Sequence, residues 1–301
     1  MSNTSQTVVV GVDGSAGSTA AVTWAAKLAA SRTLELKIVH GLQIASLYYG
    51  GGLPGAGAGV LFDAIQVDGE RVLAEARRVA LSVDENLVVT TDMPNDPPVP
   101  LLIEQSRHAR MIVLGRTGAG AFTGMLIGGT TATVASHAHC PVAVIRGREA
   151  TSTVPDAGPV VVGVDGSSNS DQAIALAFEE ASLRTAPLVA LHAWNDVTYE
   201  DTHGSARILT QPETLKEGEE RLLSERLAGW QEKYPDVVVR RELVRERPRQ
   251  ALLEASKTAQ VVVVGSRGRG GFTGMLLGST SQALVQHADC PVLVVRPERK
   301  G

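Results

Sequence analysis

The sequence predicts an α/β protein built as two tandem copies of a doubly wound parallel sheet, five strands to a copy. Three observations lead there. A length of 301 residues suits two domains of ordinary size. Short β-branched runs alternate with helical patterns along the chain, the signature of parallel strands linked by helices. The second half also repeats the first. The octet VVVGVDGS from Val8 to Ser15 returns from Val160 to Ser167, a shift of 152 residues that also relates Arg32 to Arg184 and His40 to His192. Beyond a middle stretch that differs by two residues the shift is 150, relating Arg71 to Arg221, Pro98 to Pro248 and Cys140 to Cys290. A repeat of this size marks a duplicated domain.

In the first copy, residues 7–12 form a buried strand and residues 18–31 a helix. Residues 36–40 are the second strand. The stretch 41–62 carries seven glycines, one proline and no charge, and reads as a flexible loop. Residues 63–81 form the second helix, 87–91 a strand, and 99–108 a helix opened by Pro97 and Pro98. Residues 111–114 are a strand, 128–136 a helix and 141–145 the last strand. The second copy follows suit, down to Val261–Val264. Strands that are apolar throughout are covered on both faces. The domains therefore run over 1–146 and 160–301, and the Ser-, Thr-, Gly- and Pro-rich stretch 147–159 is a linker.

Composition narrows the function. The chain is 44% hydrophobic and 20% charged with a net charge of −4, which excludes a disordered chain and lacks the basic excess of a nucleic-acid binder. No basic residue precedes the first apolar run, so the expectation is a cytoplasmic protein without membrane insertion. Two cysteines, Cys140 and Cys290, are too few for a disulfide framework and read as small core residues.

Ligands of open α/β sheets bind beyond the carboxyl ends of the strands, where strand order reverses. Two loops per copy carry unusual residues at such ends. After the first strand come Gly11 and Asp13, repeated as Gly163 and Asp165. After the fourth come Gly115, Arg116, Gly118, Gly120 and Gly128, answered by Gly265, Ser266, Arg267, Gly268, Arg269, Gly270 and Gly278. Each segment opens a helix, at Gly129 and Thr130 or at Ser279 and Thr280, whose free N–H groups favour a phosphate. Arg267 and Arg269 stand where the first copy has Thr117 and Ala119, which predicts tighter anion binding in the second copy. One such glycine alone would mean a turn, Ser279 a helix cap, and Asp13 a turn former bonding its own backbone. The spacing Gly-x2-Gly-x9-Gly after an apolar strand, found twice, favours phosphate binding.

Gly265-x2-Gly268-x9-Gly278-Ser279 resembles the ATP-binding signature of the universal stress protein family, and VGVDGS and the Cys-Pro-Val endings are similar to that family's edges. The resemblance covers essentially the whole chain as a tandem pair. It implies a nucleotide-binding α-hydrolase-like sheet in the order 3-2-1-4-5, ATP as the ligand with Mg2+ as its companion ion, and a regulator of stress or dormancy that forms homodimers. It implies that Asp13 and Asp165 contact adenosine, that Gly41 and Ala193 lie against adenine through backbone, and that the glycine segments hold ribose and phosphates. It also implies pairing of the last strands, 141–145 and 291–295. Gly129 departs from the signature, where the family has Ser or Thr.

Other signals carry less. Gly50-x-Gly52-x2-Gly55 neither follows a strand closely nor opens a helix, and no P-loop pattern occurs. His137, His139 and Cys140 suggest a metal, but Asp289 replaces His139 in the repeat, and a core cysteine beside surface histidines is the expectation. Trp24 and Trp230 fall at apolar helical positions, and the charges of 240–249 read as a solvated strand edge. His40 and His192 have no evident nucleophile partner, and no catalytic set is expected. A weak ATPase or adenylating enzyme on the same scaffold, and an interaction protein that needs no nucleotide, are the alternatives.

Overall fold

The computed structural model describes residues 5–42, 57–116, 129–147, 153–167, 169–194, 212–268 and 277–296. The chain divides into two compact units, Met1–Arg146 and Gly147–Gly301. Unit 1 runs β1 (Thr7–Gly11), α1 (Ala16–Ser31), β2 (Glu35–Val39), α2 (Gly57–Val83), β3 (Val89–Asp92), α3 (Pro98–Gln105), β4 (Met111–Gly115), α4 (Gly129–His137) and β5 (Val142–Ile145). Unit 2 runs β6 (Val160–Gly163), α5 (Asn169–Leu183), β7 (Leu188–Trp194), α6 (Pro212–Leu227), α7 (Trp230–Lys233), β8 (Val239–Arg245), α8 (Pro248–Ser256), β9 (Val261–Gly265), α9 (Ser279–His287) and β10 (Val292–Val295).

Within unit 1 the strands lie in the order β3-β2-β1-β4-β5 and within unit 2 in the order β8-β7-β6-β9-β10, every pair parallel. Both are the order 3-2-1-4-5. The reason lies in the side chains. Val8, Val10, Ile112, Val113, Val160, Val162, Val261 and Val263 are wholly buried. β-Branched residues fit a pleated strand, and burying both faces requires helices on each side. The outer strands β3 and β8 have no buried residue and expose Thr90 and Thr91, and Arg240, Arg241 and Glu242, as an edge beside water should. Strands β1 and β4, and likewise β6 and β9, are neighbours, so each sheet has its switch point between them.

The loop expected over 41–62 is corrected in its last part. α2 begins at Gly57, six residues before the expected start, and runs 27 residues to Val83. Extending an existing helix gains one hydrogen bond per residue ordered, which outweighs the poor propensity of Gly57 and Gly59. Residues 43–56, including the Gly50–Gly55 pattern, lie outside the described residues. In unit 2 the corresponding helix is shorter: α6 stops at Leu227, and Gly229, left-handed at φ +78°, starts the separate turn α7.

The two cores differ where these helices pack. Unit 1 has wholly buried Ala26 and Ala80; the repeat-equivalent positions in unit 2 hold Phe178 and Trp230. Phe178 stacks on Trp230 and on Tyr234, at ring centroid distances of 5.7 and 5.8 Å. Trp24 is buried as expected, 7% exposed.

Both cysteines are buried thiols outside any disulfide. Burial pushes the Cys140 thiol from 9.0 up to about 12. Because the folded pKa lies above the unfolded one, its contribution to stability is whole below about pH 9 and is lost as pH rises towards 12. Native protein should therefore leave Cys140 unalkylated by iodoacetamide at pH 8, with full labelling only after denaturation; peptide mass spectrometry gives the readout.

Candidate functional site

Each first βα turn is built alike. Gly14 and Gly166 adopt left-handed backbone, at φ +79° and +76°, and reverse the chain. Asp13 accepts on Oδ1 from the backbone N–H of Ser15 at 3.1 Å and from its hydroxyl at 2.7 Å. Asp165 accepts from Ser167 in the same way, at 2.9 and 2.7 Å. Ser15 then caps α1, its Oγ accepting from Ser18 N–H at 3.1 Å. The turn-forming role of these aspartates is thus real and occupies one carboxylate oxygen.

In unit 2 the other oxygen faces the glycine segment. A Cβ placed on Gly268 would sit 2.8 Å from Asp165 Oδ2. No side chain fits between the two loops. Gly278 approaches the same segment: its N–H donates to the Ser266 carbonyl at 2.7 Å, and a Cβ there would lie 3.5 Å from Arg267 Cα. Glycine is needed at position 268, against Asp165, whereas a Cβ at position 278 would make only an ordinary contact. Ser266 is wholly buried, yet among the described residues its Oγ has no hydrogen-bond partner, and neither has the buried Nε of half-buried Arg267. Buried polar atoms are nearly always satisfied, so two such atoms in succession after β9 make this a candidate for a polar ligand.

The helix after the segment adds donors. Gly278 is the N-cap of α9 and offers no side-chain cap, and Ser279 is the first helical residue. Ser279 is therefore not a mere cap, and the opening N–H groups lack one. Ser281 Oγ donates to the Gly265 carbonyl at 2.6 Å and ties the helix to β9, as Thr131 ties α4 to Gly115 in unit 1 at 2.8 Å.

Other expected residues fall as follows. A Cβ on Gly11 would lie 2.7 Å from a Leu114 methyl, and one on Gly163 3.0 Å from a Leu252 methyl, so both open space for the packing beneath the crevice. A Cβ on Gly115 would meet the Gly17 carbonyl carbon at 2.6 Å, so this glycine brings β4 against the start of α1. Gly41 lies against the backbone of 96–98, its Cβ position 2.9 Å from the Asp96 carbonyl oxygen, whereas Ala193 pairs with Val244 inside β7. Arg116 is half-buried at the end of β4. Thr130 is half-buried in the first turn of α4, and exposed Gly129 has nothing within 4 Å of its Cβ position. Thr280 is half-buried in the first turn of α9. Gly118, Gly120, Gly128, Arg269 and Gly270 lie outside the described residues.

The histidines ending the second strands are structural ties. His40 Nδ1 lies 2.8 Å from the Val12 carbonyl oxygen and His192 Nδ1 2.6 Å from that of Val164. A carbonyl oxygen only accepts, so each Nδ1 carries the hydrogen. In unit 2, His192 Nε2 also meets Glu219 Oε2 of α6 at 2.7 Å, with both side chains buried. Arg226, two turns further along α6, donates from Nη2 to the Gly166 carbonyl at 2.6 Å and pairs with Asp171 at 3.3 Å. Neither Glu219 nor Arg226 was expected from the sequence. The signal that could have found them is a comparison between repeats, in which Gly69 and Ala76 stand at their positions. Among the described residues no group of three His, Cys, Asp or Glu side chains could hold a metal, and no helix is long and apolar enough to cross a membrane.

Fold and site together define a doubly wound α/β protein whose candidate residues gather at the switch point of each unit. The chain belongs to the universal stress protein family, whose model matches it twice, over residues 4–146 and 157–296. It is 42% identical over 292 residues to universal stress protein Rv2005c of Mycobacterium tuberculosis, covering 96% of each chain. To universal stress protein Rv2623 of the same species it is 39% identical over 303 residues, covering 98% of this chain and 97% of that one. Among solved structures, a universal stress protein from Archaeoglobus fulgidus superposes with a TM-score of 0.70 at 20% identity, covering 97% of this chain and 99% of that one, a likeness of fold.

Proposed function

We propose that this chain binds ATP at the carboxyl ends of the central strands of each unit, more tightly in unit 2, and acts as a nucleotide-dependent regulator in stress or dormancy. The observation that carries the reading is the Asp165 carboxylate against Gly268, the middle glycine of a complete Gly-x2-Gly-x9-Gly-Ser segment. Asp165 would take adenosine hydroxyls, and the segment Gly265–Ser279 with the α9 N–H groups would hold the phosphates. The orphaned Ser266 Oγ and Arg267 Nε suit a polyanion with Mg2+. No nucleophile and base pair stands in this set, so its chemistry is binding rather than turnover. The setting we infer is the cytoplasm, with whole chains paired as homodimers.

Calorimetry of nucleotide-depleted protein with ATP and Mg2+ tests the reading. Saturable binding supports it, and no heat at any accessible concentration overturns it. Turnover at enzyme-like rates would favour an ATPase, and an oligomeric state indifferent to ATP would favour an interaction protein.

Unit 1 offers a gain-of-function test. Space around the Gly129 Cβ position is open, so a serine fits there and restores the signature. Gly129→Ser should strengthen ATP binding by unit 1 about two- to fivefold, the worth of one added hydrogen bond. Titration with a fluorescent ATP analogue, with unit 2 silenced by substitution at Asp165, measures it.

A further inference from the structure

Asp165 sits in a loop whose two flanking carbonyls are both held, one directly from helix α6 and the other by His192 of β7 backed by the same helix. On its amino side, the Val164 carbonyl accepts from His192 Nδ1 at 2.6 Å, and His192 is itself held through Nε2 by Glu219 at 2.7 Å. On its carboxyl side, the Gly166 carbonyl accepts from Arg226 Nη2 at 2.6 Å. Glu219 and Arg226 are seven residues apart on α6, two turns along one face. Asp171 on α5 steadies the Arg226 guanidinium from the far side, at 3.3 Å.

Unit 1 has the same turn and the same histidine tie, His40 Nδ1 to the Val12 carbonyl at 2.8 Å, but lacks the residues that back it in unit 2. At the Glu219 position stands Gly69, where a Cβ would be 2.5 Å from Met93 Sδ and 3.0 Å from His40 Cδ2; the methionine takes the room that the glutamate uses in unit 2. At the Arg226 position stands Ala76, which lines a cavity of about 40 Å³ beside Gly14, Thr19 and Val72. Thr19 replaces Asp171. Glu219, Arg226 and Asp171 are exchanged together, while the histidine and the Asp-Gly-Ser turn are kept.

We infer that Glu219, acting through His192, and Arg226 are positioning residues that fix the Asp165 loop of unit 2 for its nucleotide, and that this preorganisation makes the two sites unequal. The inference rests on the nucleotide reading of unit 2. A carboxylate already aimed at its ligand loses little freedom on binding, whereas a mobile loop must be ordered at the expense of affinity. The bond from Arg226 is charge-assisted, and the one from His192 is shielded from water, so both resist loop motion better than exposed neutral bonds.

The test compares the full chain with its R226A, R226K, E219A and E219Q variants on two readouts. The first is amide hydrogen exchange at Ser167, whose N–H reports the Asp165 Oδ1 bond, measured without nucleotide. The second is the dissociation constant for ATP with Mg2+. R226A and E219A should each speed exchange at Ser167 and weaken ATP binding by unit 2 about five- to tenfold. R226K keeps a donor and E219Q keeps a partner for Nε2, so both should retain most of the wild-type behaviour. Exchange at Ser15 in unit 1 should not change, which separates local positioning from general loosening. Arg226 is partly exposed, so R226A carries the test should E219A fail to fold. Unchanged Ser167 exchange in R226A overturns the positioning. Faster exchange with undiminished affinity overturns its role in binding. A wild-type chain that binds no ATP defeats the nucleotide reading and this inference with it, while Ser167 exchange still reports whether α6 holds the loop.

Discussion

Gly268→Ala should weaken ATP binding by unit 2 at least about tenfold, the loss of roughly one well-made charged contact. The methyl group would arrive 2.8 Å from Asp165 Oδ2, closer than a carbon and an oxygen can rest. Asp165 has little room to yield, since its Oδ1 is bound twice by Ser167 and its flanking carbonyls are held by His192 and Arg226. Either the carboxylate swings out of its bonds or the glycine segment lifts off the crevice, and both outcomes separate the groups that must converge on the nucleotide. Combining Gly268→Ala with Asp165→Ala distinguishes the cause. If the clash is responsible, the glycine substitution costs little more once the carboxylate is gone, and a double-mutant cycle in calorimetric affinities shows strong coupling. Additive losses would contradict that explanation. Gly118→Ala in unit 1 should cost less, because that unit lacks the serine and the two loop arginines; equal losses would refute the inequality of the sites.

The largest effect on stability should come from Phe178→Ala. The ring is wholly buried and stacks on Trp230 and Tyr234. Removing it leaves two large aromatic neighbours that cannot collapse into the space, so the cost should fall at about 3–5 kcal/mol. Alanine is the residue that unit 1 carries at this position, but there the facing helix also supplies a small side chain, Ala80 in place of Trp230. The same residue is therefore harmless in one unit and destructive in the other. Scanning calorimetry should show the unit 2 transition moving down while the unit 1 transition stays in place. Phe178→Leu, which keeps most of the volume, should cost well under half as much. Two transitions that fall together by equal amounts would mean that the units do not unfold independently.

Much of the fold was legible because it depends on short-range pattern. The apolar runs of β1, β4, β6 and β9 are too apolar for exposed strands and too short for core helices, and the helices between them leave only parallel pairing. The duplicated octet at Val8 and Val160 made the tandem arrangement plain. The start of α2 was misplaced because glycine content suggested a loop, although a long helix can carry weak residues at its end. The candidate site was legible to the extent that it is local. Asp165 and the glycine spacing stand in the sequence, and so does the serine missing at Gly129. What could not be read is which oxygen of Asp165 serves the turn and which faces Gly268, since that depends on a loop about a hundred residues away.

The sequence by itself determined the repeat, the α/β architecture and the unequal glycine segments, all of them consequences of residue type and spacing. Only the tertiary structure decided that Glu219 backs His192 and Arg226 holds the Gly166 carbonyl, across separations of 27 and 60 residues. Helix α6 is charged along most of its exposed length, so two more charges in it look like ordinary solvated surface. Their role depends on which way α6 is turned against β7 and α5, and that rotation is set by the packing of the whole unit rather than by any motif within the helix.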